Sequence, residues 1–131
     1  MARFDVLYAI SVWTHMNREV GARWLQEVSR LLRPGGLALI SVSSYYVLEM
    51  HRKHKELSAI WKDVRDEDLK REGSAFRSRD YSMMKEPCGE IVYDPEWLTA
   101  EWSKAIPVKE FNIRAVGGNA RQDLVVVHKP A

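Results

Sequence analysis

FDVLYAISVWTHM, residues 4–16, starts as a strand: Phe4, Val6, Leu7, Tyr8, Ala9 and Ile10 are apolar, and Asp5 is the only charge among residues 4–10. A strand apolar on both faces belongs inside a parallel sheet that helices cover on two sides. Its neighbours in such sheets usually come from segments just before and just after it. The segment after it is easily found. Asn17 or Thr14 offers a helix cap, and Val20, Trp24, Leu25, Val28, Leu31 and Leu32 fall near helical spacing. Arg30 and Arg33 suit the negative end of a helix dipole, and Pro34-Gly35-Gly36 stops the helix. Leu37-Ala38-Leu39-Ile40-Ser41-Val42 follows as a second strand. Strand, helix and strand make a right-handed βαβ unit. Residues 4–10 then need a neighbour on their other side, which the residues before Phe4 are too few to supply.

Farther along, Val47, Met50, Leu57, Ile60, Trp61 and Val64 suggest one or two helices within residues 46–72, with a charged, solvated face. Residues 73–92 read as an irregular insert. Asp94-Pro95-Glu96-Trp97 is a helix start, with a capping Asp and Pro at the first helical position. Leu98 and Trp102 continue the apolar side of that helix. Residues 108–115 and 123–128 read as strands around Gly117-Gly118-Asn119-Ala120, a hairpin connection. Leu124-Val125-Val126-Val127 is apolar on both faces and is expected in the sheet interior. The tryptophans at 13, 24, 61, 97 and 102 read mostly as core. The order predicts an α/β fold with a mixed sheet, parallel strands first and an antiparallel hairpin last.

The 131 residues fit one domain spanning residues 1–131, able to bury roughly two thirds of its unfolded surface. With 20 basic against 18 acidic side chains the net charge is +2, a balance that argues against a nucleic-acid partner. Cys88 is the single cysteine, so there is no disulfide framework and a reducing compartment is expected. No apolar run approaches the ~20 residues of a membrane span, and Asp5 interrupts any signal-peptide pattern. The expected location is the cytoplasm. His15, His51, His54 and His128 do not make a metal set, because only His51 and His54 share a helix spacing and no third ligand is near them. Cys88 and the pair Met83-Met84 read as packing.

FDVLYAISVWTHM, with WLQEVSRLLRPGGLALISV at residues 24–42, resembles the second half of class I S-adenosylmethionine-dependent methyltransferases. In that family the fourth strand is an acidic residue followed by apolar ones, as in Asp5-Val6-Leu7-Tyr8-Ala9. A helix then ends in an LRPGG turn, here Leu32 to Gly36, that leads into the fifth strand. The terminal hairpin and the helix over Trp97 to Trp102 also match. The resemblance covers nearly the whole chain, with residues 45–92 matching in outline only. It implies a partial Rossmann-like methyltransferase sheet with flanking helices, and an N-terminal half, carrying the glycine-rich cofactor turn, that is absent. Gly35-Gly36 and Gly117-Gly118 do not replace that turn, since the first pair ends a helix and the second sits in a hairpin.

By the resemblance, Ala9, Ile10 and Ser11 lie beside the sulfonium and methyl group, mostly through backbone contacts, while Trp13, Thr14 and His15 face the substrate. Ligands of such sheets bind at the carboxyl ends of parallel strands, here Ala9 to Ser11 and Ser41 to Tyr45. Methyl transfer is an in-line displacement that needs alignment and sometimes a base. His15 is the candidate base, since histidine is the residue type that titrates near neutrality; packing against the next helix is the plainer role. Thr14 reads as a helix cap or turn residue rather than a catalyst. Tyr45 and Tyr46 either line the substrate pocket or pack.

Two functions are therefore expected. One is a partial methyltransferase, inactive alone, that takes S-adenosylmethionine and no metal once an N-terminal half completes it; its methyl acceptor is a small molecule. The other is a non-catalytic α/β module that self-associates. Both leave residues 4–10 as an apolar unpaired edge, which predicts a homodimer or a complex with the N-terminal half through that strand.

Overall fold

The computed structural model describes residues 2–53, 60–79, 88–117 and 121–131. His54, Leu57, Met83-Met84 and residues 118–120 of the expected hairpin turn lie outside them. A sheet ordered β1-β2-β6-β5 forms the body, from β1 (Phe4–Ala9), β2 (Leu32–Val42), β5 (Val108–Val116) and β6 (Gln122–His128). β1 and β2 are parallel, joined through α1 (Arg18–Leu31), while β6 is antiparallel to both of its neighbours. The fold class is thus as expected, a mixed sheet with flanking helices, and β6 is interior.

Local chemistry sets the helix ends. The Asn17 side chain accepts from the Val20 amide at 2.9 Å and starts α1. At the other end Lys129 Nζ donates to the carbonyls of Ser29, at 2.6 Å, and Leu32, at 2.8 Å. A cation thus meets the negative end of the dipole. Asp94 caps α4 (Pro95–Trp102) by accepting from the Trp97 amide at 3.0 Å, and α4 has proline at its start as the sequence predicts.

Four expectations need correction. The strand expected from Leu37 already begins at Leu32. The register with β1 jumps from Phe4–Leu32 to Val6–Leu37, so Arg33–Gly36 bulges out of the ladder, and Gly35 takes φ +85°. The β1 strand ends at Ala9, before Ile10, because Ser11 turns the chain at φ +60°. Residues 73–92 are not an irregular insert: β3 (Ser74–Arg79) and β4 (Cys88–Tyr93) pair antiparallel. Trp24 is 55% exposed. Leu25 and Val28 face the core, and Trp24, one residue before Leu25, is turned about 100° away from it around the helix.

Register separates the two faces of the main sheet. On one face the rows Leu7–Ala38–Val127–Val108 and Ala9–Ile40–Val125–Phe111 pack with Leu25 and Val28 of α1, Leu98 and Trp102 of α4, and Ile91 and Tyr93 of β4. Each fully buried aliphatic side chain there contributes about 1.5–3 kcal/mol. On the other face lie Val6–Leu37 and Tyr8–Leu39–Val126, with Leu124 opposite Ser41. None of these apolar residues belongs to a packed cluster among the described residues. A smaller cluster of Leu48, Trp61, Val64, Leu69 and Val92 ties α2 (Tyr45–Lys53) and α3 (Asp66–Glu72) to β4. β4 is therefore buried on both faces, with Ile91 and Tyr93 in the main core and Val92 in the second. No described helix is long and apolar enough to cross a membrane.

Candidate functional site

The ends of β1, β2 and β6 are locked by a closed ring of hydrogen bonds. The Ser11 amide donates to Ser41 Oγ at 2.8 Å, Ser41 Oγ donates to Gln122 Oε1 at 2.6 Å, and Gln122 Nε2 donates to Ser11 Oγ at 2.9 Å. Ser41 is fully buried and Gln122 nearly so, so each partner removed would strand a buried polar atom. The ring demands the left-handed backbone of Ser11, and so aims the following 3₁₀ turn, Trp13–His15, across the strand ends.

A cavity of about 300 Å³ opens beside this ring. Ser11, Thr14 and His15 line it from the β1 side and Gln122 from β6. Ser43, His51, Glu90 and Arg121 add further polar groups, with Trp61 and Ile91 as apolar wall. His15 is held by β4: its Nδ1 lies 3.0 Å from the Gly89 carbonyl oxygen. A carbonyl only accepts, so the neutral ring carries its proton on Nδ1 and keeps the Nε2 lone pair available. Thr14 is 5% exposed, and its Oγ1 has no hydrogen-bond partner among the described residues. Buried hydroxyls are normally satisfied, so this one is available to a bound group.

The residues expected at the site from sequence divide. Ser11, Thr14 and His15 come together at the cavity. Ala9 packs against the core and Ile10 is 45% exposed beside the open strand. Trp13 does not face the cavity. Its ring is buried edge-on to Trp102, at 6.4 Å between centroids, and its indole N–H donates to the Gly21 carbonyl at 3.0 Å. Tyr45 and Tyr46 are also elsewhere. Tyr45 donates to Asp94 Oδ1 at 2.6 Å, and burial, then Asp94, pushes its phenol pKa up. The Tyr46 ring lies under the Arg114 guanidinium at 4.5 Å, and Arg114 also pairs with Glu49 at 3.0 Å. Both tyrosines thus brace α2 against its neighbours.

Asp123, next to Gln122, is fully buried. Its carboxylate accepts from the Arg114 amide at 2.7 Å and from the Ser44 hydroxyl. Burial outweighs those bonds and pushes its pKa up from the ordinary value of 3.8. A larger cavity of about 530 Å³ lies away from the strand ends, between the start of α1, α3 and β3. Among the described residues no group of three or more His, Cys, Asp or Glu could hold a metal.

Among the described residues the strand ends offer one wall to a nucleoside cofactor and no glycine turn that leads into a helix. The end of β1 is open along its edge, with Tyr8 78% and Ile10 45% exposed. The glycines with positive φ among the described residues, Gly35 and Gly73, occupy a bulge and a helix C-terminus; neither precedes a helix in the way that lets amides cradle a cofactor.

No family model matches the chain. A solved structure of a SAM-dependent methyltransferase from Methanosarcina mazei is similar to it, with a TM-score of 0.59 and 16% identity over 97% of this chain. The chain spans 59% of the length of that protein. The likeness is one of fold: a mixed sheet with flanking helices, similar to the part of that protein with which the chain aligns.

Proposed function

We propose that these residues are the acceptor-side half of an S-adenosylmethionine-dependent methyltransferase, inactive until a cofactor-binding half covers β1. The observation that carries this reading is the uncovered side of the sheet. Phe4, Val6, Tyr8 and Ile10 are 44%, 54%, 78% and 45% exposed, and Val6 and Tyr8 continue into the unpacked residues Leu37, Leu39 and Val126. A parallel strand of that composition is stable when paired and covered. The missing layer belongs to a further segment, in the same polypeptide or another.

In the completed protein the cofactor supplies an activated methyl group. Ala9, Ile10 and Ser11 provide one wall beside it. The cavity at the strand ends holds the acceptor, and His15 Nε2 takes the acceptor's proton as the methyl group arrives. Positioning and a base of this kind are each worth orders of magnitude in rate.

The test is to translate the coding sequence upstream of residue 1 and produce it with this chain. A glycine-rich strand–turn–helix there, and calorimetric S-adenosylmethionine binding by the combined protein but not by this chain alone, is the expected result. Tight binding by the isolated chain, or none by the combination, overturns the reading.

The same bare edge supports a second reading, a non-catalytic module in which two copies pair through β1. A sedimentation experiment giving a monomer at high concentration would remove it.

A further inference from the structure

We infer that the cavity at the strand ends recognises an anionic group on its ligand, a carboxylate or a phosphate, and that Arg121 binds it. The inference rests on the proposed function only in taking that ligand to be the methyl acceptor.

Arg121 lines the cavity and is half-buried. It forms no ion pair among the described residues, and unlike Arg3 and Arg23, which also form none, it is not exposed; Arg18, Arg30, Arg52, Arg65, Arg71 and Arg114 each pair with a carboxylate. A partly desolvated guanidinium that makes no ion pair can grip an anion through paired N–H donors.

Two further features converge on the same space. Among the described residues two buried hydroxyls, Thr14 Oγ1 and Tyr93 OH, have no partner, and of these Thr14 lines the same cavity; a hydroxyl can donate to an anion. Ser11 and Arg121, at φ +60° and +50°, are non-glycine residues in the left-handed region, and both line the cavity. Strain of this kind costs about 1–3 kcal/mol and gathers at ligand clamps. The Ser11–Ser41–Gln122 ring holds Gln122, the residue after Arg121, in place. Glu90 lines the cavity as well. A volume of about 300 Å³ is at the small end for ligand sites and suits a compact molecule.

The test is an NMR titration of the isotope-labelled chain at constant ionic strength, with sodium acetate in one arm, inorganic phosphate in the second and glycerol as the uncharged control. The expected result is a saturable shift of the Thr14, His15, Arg121 and Gln122 amides with at least one anion and none with glycerol. Saturation by acetate alone assigns a carboxylate, and by phosphate alone a phosphate. Arg121→Gln should weaken binding at least tenfold, Arg121→Lys should keep part of it, and Thr14→Val should weaken it a few-fold. An unchanged amide spectrum outside the cavity shows that each variant is folded. Absence of saturable shifts with both anions, or an Arg121→Gln titration like that of the parent, overturns the inference. Since the titration needs no cofactor, that failure is distinct from failure of the methyl-transfer reading.

Discussion

His15 Nδ1 lies 3.0 Å from the carbonyl oxygen of Gly89, so a turn that follows the first strand is anchored by a hairpin more than seventy residues later. The contact gives the imidazole a fixed tautomer and a fixed place. It also separates two roles that a simple deletion would confuse. Asn at position 15 can place its Nδ2 where Nδ1 donates, yet it cannot accept a proton. His15→Asn is therefore expected to leave the melting temperature within a few degrees of the parent. In the combined protein it should lower kcat by about 10²–10⁴ while KM moves little. A His15→Asn protein with the parental rate would show that His15 is an anchor and no base.

Asp123 is a buried carboxyl whose pKa is pushed up by desolvation. Between its ordinary value of 3.8 and the higher folded value, the native state holds the proton that the unfolded chain has released. Stability from this group is complete at low pH and is lost as pH rises through that window. Asp123→Asn removes the titration and keeps both bonds: Oδ1 still accepts from the Arg114 amide, and Nδ2 donates to Ser44 Oγ. The stability of Asp123→Asn relative to the parent should thus grow as pH is raised from about 4 and then level off. Urea unfolding of both proteins across that range checks it, and parallel curves would contradict the burial argument.

Gly73 ends α3 in the left-handed region, at φ +86°, and a Cβ placed there would run into the Trp97 ring. Trp97 in turn stacks on Tyr93 with centroids 6.1 Å apart. Gly73→Ala must both adopt a disfavoured backbone, at about 1–2 kcal/mol, and displace an aromatic stack. The expected loss is about 2 kcal/mol or more, read as a lower urea midpoint with an unchanged slope. A loss below 0.5 kcal/mol, the usual scale of surface changes, would mean that this helix end is free to move.

The legible parts of the fold were those where local chemistry and burial agree. Asn17 and Asp94 cap the helices that their positions suggest, and Leu124–Val127 lies in an interior strand. β3 was hidden because four of the six residues in Ser74-Ala75-Phe76-Arg77-Ser78-Arg79 are polar or charged, and its ladder is earned through the apolar Ile91-Val92-Tyr93 opposite. The site was legible only where one segment supplies it. Ser11, Thr14 and His15 follow a strand end, but Ser43, His51, Glu90, Arg121 and Gln122 come from separate stretches. Sheet register brings them together, as in the pairing of Val42 with Asp123 that sets Gln122 beside the strand end, and no local spacing encodes that. Trp13 was misleading for the opposite reason: it sits between two cavity residues, Ser11 and Thr14, yet a 3₁₀ turn rotates its ring into the core.

The open strand gives the test that separates the two functional readings. Tyr8 is 78% and Val6 54% exposed, so charges placed there break no packing in the isolated chain. Val6→Lys/Tyr8→Lys should change its unfolding free energy by no more than about 0.5 kcal/mol per site. Charged residues on a strand edge oppose pairing with another chain. In the methyltransferase reading the variant stays a folded monomer and fails to join the cofactor-binding half, which size-exclusion of the mixture would show as two separate species. In the self-association reading the parent alone is a dimer and the variant a monomer. A variant that still joins the cofactor-binding half with parental affinity would place that junction away from β1, and with it the proposal that this strand is the inner seam of a larger sheet would fall.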